Sequence, residues 1–136
     1  MRIWGFNMKI DDIFTPDVLK KLFPDHLTDM FFDALYGDAK EGVYDIRLEF
    51  KGHRENSLEF ELQLAQRAGK CLNCHLTYGL PEVFSRHPII NISGLVQNIN
   101  KLVDDFAKCA DWQLGSTREV STELHVIPLI IFLDKE

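Results

Sequence analysis

The most chemically suggestive segment of this 136-residue chain is Cys71-Leu72-Asn73-Cys74-His75, which matches the pattern C-x-x-C-H. In that pattern the two thiols can add to the vinyl groups of haem while the histidine ligates the iron. The same Cys71, Cys74 and His75 could instead provide ligands for zinc, or the cysteines could form a redox-active pair. The segment therefore raises the hypothesis of a metal-, haem- or thiol-dependent protein.

The residues around this motif predict a strand, which would separate its side chains. Leu72, Cys74, Leu76 and Tyr78 alternate with polar residues, so Cys74 is expected to face the core and Cys71 to face solvent. Side chains three apart on a strand lie on opposite faces and cannot share one haem or one metal ion. We therefore favour a buried, unreactive Cys74 and an ordinary exposed thiol at Cys71, with no cofactor and no metal.

The second candidate site is the segment Ser85-Arg86-His87, which lies between apolar Val83-Phe84 and Ile89-Ile90. An arginine and a histidine held between apolar anchors could bind an anionic ligand, so Arg86 and His87 are the predicted ligand-binding residues. The alternative, which we favour, is a surface connection with two apolar anchors in the core. The sequence contains no metalloprotease, nucleophile-elbow or phosphate-loop motif, so no catalytic residue is predicted and we do not expect an enzyme.

Charge and size restrict the class of partner. The chain has 15 basic and 21 acidic residues, a net charge of −6 and no basic run. This balance disfavours nucleic acid and anionic membranes and leaves a protein partner or a small ligand. No apolar stretch approaches the roughly 20 residues of a membrane span.

Three cysteines, an odd number, favour a reducing compartment, and the polar residues after the start interrupt any signal-peptide core. We therefore expect a cytoplasmic protein.

Helix signals appear in three places. Thr15 and Pro16 predict the cap and first position of a short helix, and a second helix follows from about Pro24 to Gly37, the expected left-handed end. A long amphipathic helix is predicted from Ser93 to about Ala110. Its apolar stripe predicts that these side chains cover the sheet: Leu95, Ile99, Leu102, Phe106 and Ala110.

Strand signals predict an antiparallel meander. Residues 44–50 and 58–64 alternate apolar and polar residues, and a third strand is predicted from about Lys70 to Tyr78. The resulting order is α-α-β-β-β-α-β. We therefore expect one α+β domain over residues 1–136, with an antiparallel sheet and helices packed on one face. Met8 could be the start of the protein, in which case residues 1–7 would be a frayed or mis-annotated leader.

The last extended segment, from Thr117 to Leu133, suggests self-association. Its first half places Glu119, Ser121, Glu123 and His125 on one side, whereas residues 126–133 are apolar on both sides. Pro128 cannot donate to a ladder, so an edge strand, or one bulged or split there, is expected. The second apolar side must be covered by residues 3–6 of the same chain or by a second copy. We favour a homodimer, and a small acidic binding or assembly domain for a protein segment or an apolar ligand.

Overall fold

The structure confirms the α+β class and the antiparallel sheet. The computed structural model describes residues 10–38, 40, 42–72 and 77–134. After a 3-10 turn at Ile10–Asp12, the helices and strands follow in the order α1 (Pro16–Leu22), α2 (His26–Tyr36), β1 (Tyr44–His53), β2 (Ser57–Gln66), α3 (Leu80–Arg86), α4 (Ile92–Val103), β3 (Lys108–Leu114), β4 (Arg118–Ser121) and β5 (Leu124–Asp134).

The two N-terminal helices begin and end as their local signals predict. Thr15 caps α1 by accepting the N–H of Val18 at 3.3 Å, and Pro16 occupies the first turn. Gly37 ends α2 with a φ of 80°, a left-handed conformation that glycine adopts without steric cost. These ends depend on neighbouring residues alone, which is why the sequence predicts them.

The hairpin of β1 and β2 is also confirmed. The strands pair antiparallel with Ile46 opposite Leu64 and Leu48 opposite Leu62, so the apolar residues of both strands share one face. The register shifts between Phe50 and Gly52, where a bulge bends β1.

The predicted third strand of the meander is not formed in the residues described. Residues 67–72 and 77–79 are turns and irregular backbone, residues 73–76 lie outside the description, and α3 begins at Leu80. The strand beside β2 is β5 instead. The alternation of Leu72 and Tyr78 resembled a strand, but local alternation does not determine which segment pairs with β2.

The predicted long helix ends early. α4 stops at Val103, a turn follows, and Lys108 already begins β3. Its N-cap is Asn91, whose side chain accepts the N–H of Gly94 at 3.1 Å, rather than Ser93. The expected burial of Phe106 is wrong because this residue lies in the turn and is 42% exposed.

The last strand is not an edge strand. The sheet order is β1-β2-β5-β3, and β4 also pairs with β5, so β5 lies inside the sheet. Pro128 is accommodated because the neighbouring strand is interrupted beside it, between the end of β3 at Leu114 and the start of β4 at Arg118. Gly115, in this interruption, donates its N–H to the Pro128 carbonyl at 2.8 Å. The N–H and the carbonyl of a strand residue point to the same side, so the N–H that proline lacks would also face the interruption.

One core lies between the sheet and the helices. Its strand residues are the inward-facing apolar side chains of β1, β2 and β5, and α2, α3 and α4 contribute the buried residues Phe31, Phe32, Phe84, Leu95 and Ile99. In the described part of the chain, no helix is long and apolar enough to span a bilayer.

The position of α4 generates a stability prediction. Ile99 is fully buried, so Ile99→Ala should lower the free energy of unfolding by about 2–5 kcal/mol through lost burial and a cavity. Phe106→Ala, at the exposed turn, should lower it by less than about 1 kcal/mol. Denaturant unfolding followed by circular dichroism measures both values, and equal losses would contradict the observed end of α4.

Candidate functional site

A groove of about 520 Å³ lies between α1, the start of α2 and the edge strand β1. This volume is within the range of about 300–1,000 Å³ that is typical of ligand pockets. Apolar side chains from both layers line it, among them Leu19 and Phe23 from the α1 region and Ile46 and Leu48 from β1. The remaining lining is largely charged, with five carboxylates and two basic groups from Asp17, Asp25, Asp29, Asp45, Glu49, Lys20 and Arg47.

The edge of β1 is capped at one position within the groove. The N–H of Ile46 donates to the hydroxyl of Thr28 on α2 at 3.1 Å, and both residues are buried. Ile46 therefore points its N–H away from β2. Because backbone groups alternate along a strand, Leu48 points its own N–H and carbonyl in the same direction. None of the described residues is hydrogen-bonded to the N–H of Leu48 on this side.

Arg67, directly after β2, holds the back of the groove together. Its Nη2 lies 2.8 Å from an Asp29 carboxylate oxygen and its Nε lies 3.1 Å from one of Asp45. The guanidinium also lies over the ring of Phe32, 5.4 Å from the centroid. Only 19% of the Arg67 side chain is exposed, so these charge-assisted bonds are stronger than ordinary surface pairs. They fix α2 against β1.

The front of the groove carries charges that the fold does not use. Lys20 and Asp25 form a pair at 3.7 Å whose side chains are both largely exposed, so it contributes little to stability. Among the described residues, Asp17, Arg47 and Glu49 form no ion pair. The carboxylates outnumber the basic groups, so the groove presents a negative field to an incoming ligand.

Arg86 and His87, the predicted ligand-binding residues, make contacts within the chain. Arg86 ends α3 and pairs with Glu82, one turn earlier, at 2.7 Å. His87 packs edge-on against Phe31 with ring centroids 4.9 Å apart, and its Nδ1 accepts the N–H of Ile89 at 3.2 Å. Ligand binding by Arg86 and His87 stays a prediction, and the contacts seen are those of a surface connection with apolar anchors.

The cysteine motif is described at one residue only. Cys71 is exposed and forms a disulfide, so the expected free thiol at this position is wrong. Cys74 and His75 lie outside the described residues. Where the chain is described, no three histidine, cysteine or acidic residues form a metal-binding group. Because a disulfide favours an oxidising environment, the odd number of cysteines no longer indicates a reducing compartment. Cytoplasmic location stays a prediction.

The third cysteine, Cys109, is a free thiol on β3. It is partly buried and packs against the core. Burial raises its pKa to about 11 because the thiolate would lose hydration. Cys109 is therefore protonated and poorly reactive near neutral pH.

A buried polar cluster was not expected from the sequence. His125 belongs to the core side of β5, 1% exposed, and its Nδ1 lies 2.7 Å from the hydroxyl of Thr77. Thr117 donates to the Thr77 carbonyl at 2.7 Å. The expected alternation placed His125 with Glu119 on a polar side, but the turn between β4 and β5 breaks that alternation. The cluster ties the residues after the cysteine motif to the far edge of the sheet.

No family model, curated protein or solved structure is significantly similar to this chain.

The bond between Thr28 and Ile46 generates a prediction about the groove. Thr28→Val keeps the shape of the side chain but leaves the buried N–H of Ile46 without an acceptor, which should cost about 1–3 kcal/mol of unfolding free energy. Thr122→Val, at an exposed turn position, is the matched control and should cost less than about 0.5 kcal/mol. Chemical denaturation compares them, and an unchanged midpoint for Thr28→Val would show that the bond does not hold the groove.

Proposed function

We infer that this protein is a small, non-enzymatic binding domain whose groove between α1, α2 and β1 holds a segment of a partner protein. The observation that carries this proposal is the groove of about 520 Å³ beside an edge strand, with a rim on which Asp17, Arg47 and Glu49 form no ion pair with any described residue. Its apolar floor is already covered, since Leu19 is 7%, Phe23 2% and Leu48 4% exposed. A polypeptide can fill such a groove and match the rim with charged side chains.

A small apolar ligand fits this groove less well. Its lining includes Asp17 and Glu49, and burying an apolar molecule against them would remove water from carboxylates without replacing its hydrogen bonds. We therefore choose the protein segment from the two ligand classes that the sequence left open.

A homodimer stays a proposal, with the outer face of the sheet or its edge at β3 as the contact surface. Both edges of β5 are already paired, so strand pairing at β5 is not the contact. Ion pairs of Glu61 cover part of the outer sheet face. Its carboxylate oxygens lie 3.2 Å from Nη2 of Arg118 and 4.0 Å from Nζ of Lys51. Phe132 remains 38% exposed on that face. Residues 3–6, the other suggested cover, lie outside the described residues.

Selection from a display library of random peptides tests the proposed function without assuming a partner sequence. Peptides enriched on the full chain should bind the variant Asp17→Trp at least about tenfold more weakly, because the indole fills the groove. Asp105→Trp, in the exposed turn after α4, is the control and should retain affinity within about twofold. Failure to enrich any peptide, or equal binding to both variants, would refute the groove as a protein-binding site.

The disulfide of Cys71 supports a second candidate, a thiol–disulfide function of the C-x-x-C segment. A sulfur already bonded to sulfur provides neither a thiolate for zinc nor a thioether for haem. Of the three hypotheses for this segment, the disulfide therefore favours thiol–disulfide exchange over zinc binding and haem attachment.

Thiol alkylation at pH 8, followed by intact mass, tests this second function. Without reductant the native protein should label slowly, because the pKa of Cys109, near 11, leaves about one thiol in a thousand ionised at that pH. After mild reduction Cys71 should label quickly because it is exposed. Re-oxidation by glutathione disulfide should reverse the change. Rapid labelling of Cys71 before reduction, or no labelling after it, would exclude reversible thiol–disulfide chemistry here.

A further inference from the structure

β3 is the second edge strand of the sheet, and part of its outer side is open. Gly115 donates its N–H to the Pro128 carbonyl of β5 at 2.8 Å. Because backbone groups alternate along a strand, Trp112 and Leu114 point their N–H and carbonyl groups away from β5. On that side, none of the described residues is hydrogen-bonded to the N–H of Leu114 or to the carbonyl of Trp112 or Leu114.

Contacts within the chain close both ends of this open stretch. At the first end, the Asn100 side chain of α4 accepts the N–H of Cys109 at 2.8 Å, and the register with β5 shifts directly after Cys109. At the other end, Thr117 is buried and its hydroxyl donates to the Thr77 carbonyl at 2.7 Å. The open stretch therefore covers residues 110–116.

We propose that β3 pairs with β3 of a second copy, antiparallel and across a two-fold axis, so that two sheets join edge to edge. The residue on such an axis lies opposite its own copy. For the stretch 110–116 that residue is the midpoint, Gln113, and Trp112 of each copy lies opposite Leu114 of the other. The inference rests on the homodimer part of the proposed function and does not depend on the groove between α1, α2 and β1.

The backbone groups match in this register. In an antiparallel ladder, two opposite residues that face each other's strand exchange both N–H···O=C bonds. Trp112 and Leu114 both face the second copy, so the N–H of Leu114 meets the carbonyl of Trp112, and the axis provides this bond twice. The N–H of Trp112, which Asp111 Oδ1 accepts at 2.8 Å, can exchange that acceptor for the Leu114 carbonyl. A shift by one residue would set Trp112 opposite Gln113, whose backbone groups face β5.

The side chains match as well. Trp112 lies on the core side of the sheet, opposite buried Ile131 of β5, and Leu114 shares that side. Both are partly exposed and pack only against the border of the core. Because opposite residues share a face, Trp112 of one copy covers Leu114 of the other, and this contact removes apolar surface from water twice. On the outer face Gln113 meets its own copy, and the two amide groups can exchange hydrogen bonds.

The charges of the open stretch do not oppose one another. Its one charged residue is Asp111, which lies opposite Gly115 of the other copy in this register. The edge strand β1 differs, because residues 45, 47, 49 and 51 are all charged. The whole chains repel at long range, since each carries a net charge of −6. Salt screens this repulsion, so the association should strengthen as ionic strength rises.

Exposed aromatic residues lie near both ends of the stretch. Phe106, in the turn before β3, is 42% exposed, and Tyr78, whose hydroxyl donates to Glu119 of β4 at 2.7 Å, is 58% exposed. Because the paired strands run in opposite directions, the start of β3 in one copy lies beside the β4 end of the other. So short a ladder buries an area at the low end for specific interfaces, below about 1,200 Å² in total, and a micromolar dissociation constant is expected.

Disulfide trapping with the full chain tests the position of the axis. Gln113→Cys places a thiol opposite its own copy, at the roughly 4.5 Å Cα separation of a cross-strand pair, which a disulfide can bridge. Asp111→Cys is the control, because it lies on the same face but about 13 Å from its own copy, four residues along the strand. Two thiols and one glutathione disulfide give the intermolecular disulfide and two molecules of glutathione.

Intact mass without reductant should show the covalent dimer of Gln113→Cys forming at least about tenfold faster than that of Asp111→Cys. The unmutated chain should form almost none, because burial raises the pKa of Cys109 to about 11. Equal rates for the two variants would overturn the proposed axis.

Sedimentation equilibrium tests the pairing without a covalent bond. The unmutated chain should pass from monomer to dimer between about 1 μM and about 300 μM, and more readily in about 0.5 M than in about 0.05 M sodium chloride. Gln113→Lys and Gln113→Glu should each associate at least about threefold more weakly, because like charges meet on the axis. Their equimolar mixture should recover the lost affinity, and Asp105→Lys, at an exposed turn, should behave as the unmutated chain. A mixture no better than its separate components, or a dimer weakened by salt, would refute pairing at β3.

Two further variants separate strand pairing from contact through the outer sheet face. Leu114→Pro removes an N–H that points away from β5, so it should weaken the dimer about tenfold more than Leu114→Ala, which keeps that N–H. Phe132→Ser, on the outer face, should change the affinity less than about twofold. The opposite pattern would assign the dimer to the outer face. A chain that stays monomeric throughout overturns this inference alone, because peptide selection reports on the groove separately.

Discussion

The antiparallel pairing of β5 with β2 is the interaction on which the rest of the sheet depends. It joins residues some 60 positions apart in the chain, with Leu62 opposite Ile127 and Leu64 opposite His125. Closing so long a loop costs conformational entropy, and the fully apolar run from Val126 to Leu133 provides the burial that offsets it. With β5 beside β2, β3 and β4 pair with the other side of β5, and β1 is the strand at the opposite edge of the sheet.

The same pairing explains which parts of the fold were predictable. α1, α2 and the hairpin of β1 and β2 depend on caps, alternation and a short turn, and these signals lie within a few residues of each other. The position of β5 depends on a partner far away in the chain. An apolar run with a proline reads locally as an edge strand, but here the irregularity that Pro128 requires occurs in the neighbouring strand. The third meander strand, which the described residues do not form, was predicted wrongly beside β2 for the same reason, since β5 takes that place.

The candidate site was hardly predictable at all. Its charged residues come from α1, α2 and β1, and each one alone looks like an ordinary solvated side chain. Only the tertiary arrangement shows that Arg67 pairs with Asp29 and Asp45 while Asp17 and Glu49 form no ion pair with the residues that the structure describes. Arg86, by contrast, attracted attention in the sequence because of its apolar flanks, and the structure pairs it with Glu82 on its own helix. The one signal that pointed to the groove was the hairpin itself, because an N-terminal strand paired on one side is a candidate edge.

An edge strand can pair with other chains unless the fold protects it, and β1 is protected in three ways. Thr28 covers one end, the bulge bends the other, and Arg47 and Glu49 place charge along the strand between them. Leu48, the next residue along this edge, is only 4% exposed, so the edge is largely covered there. Contacts within the chain hold both walls of the groove, because Arg67 joins α2 to β1 and β1 is paired with β2. A bound segment would lose its own conformational, translational and rotational freedom, and walls that are already held reduce the additional cost of ordering the groove.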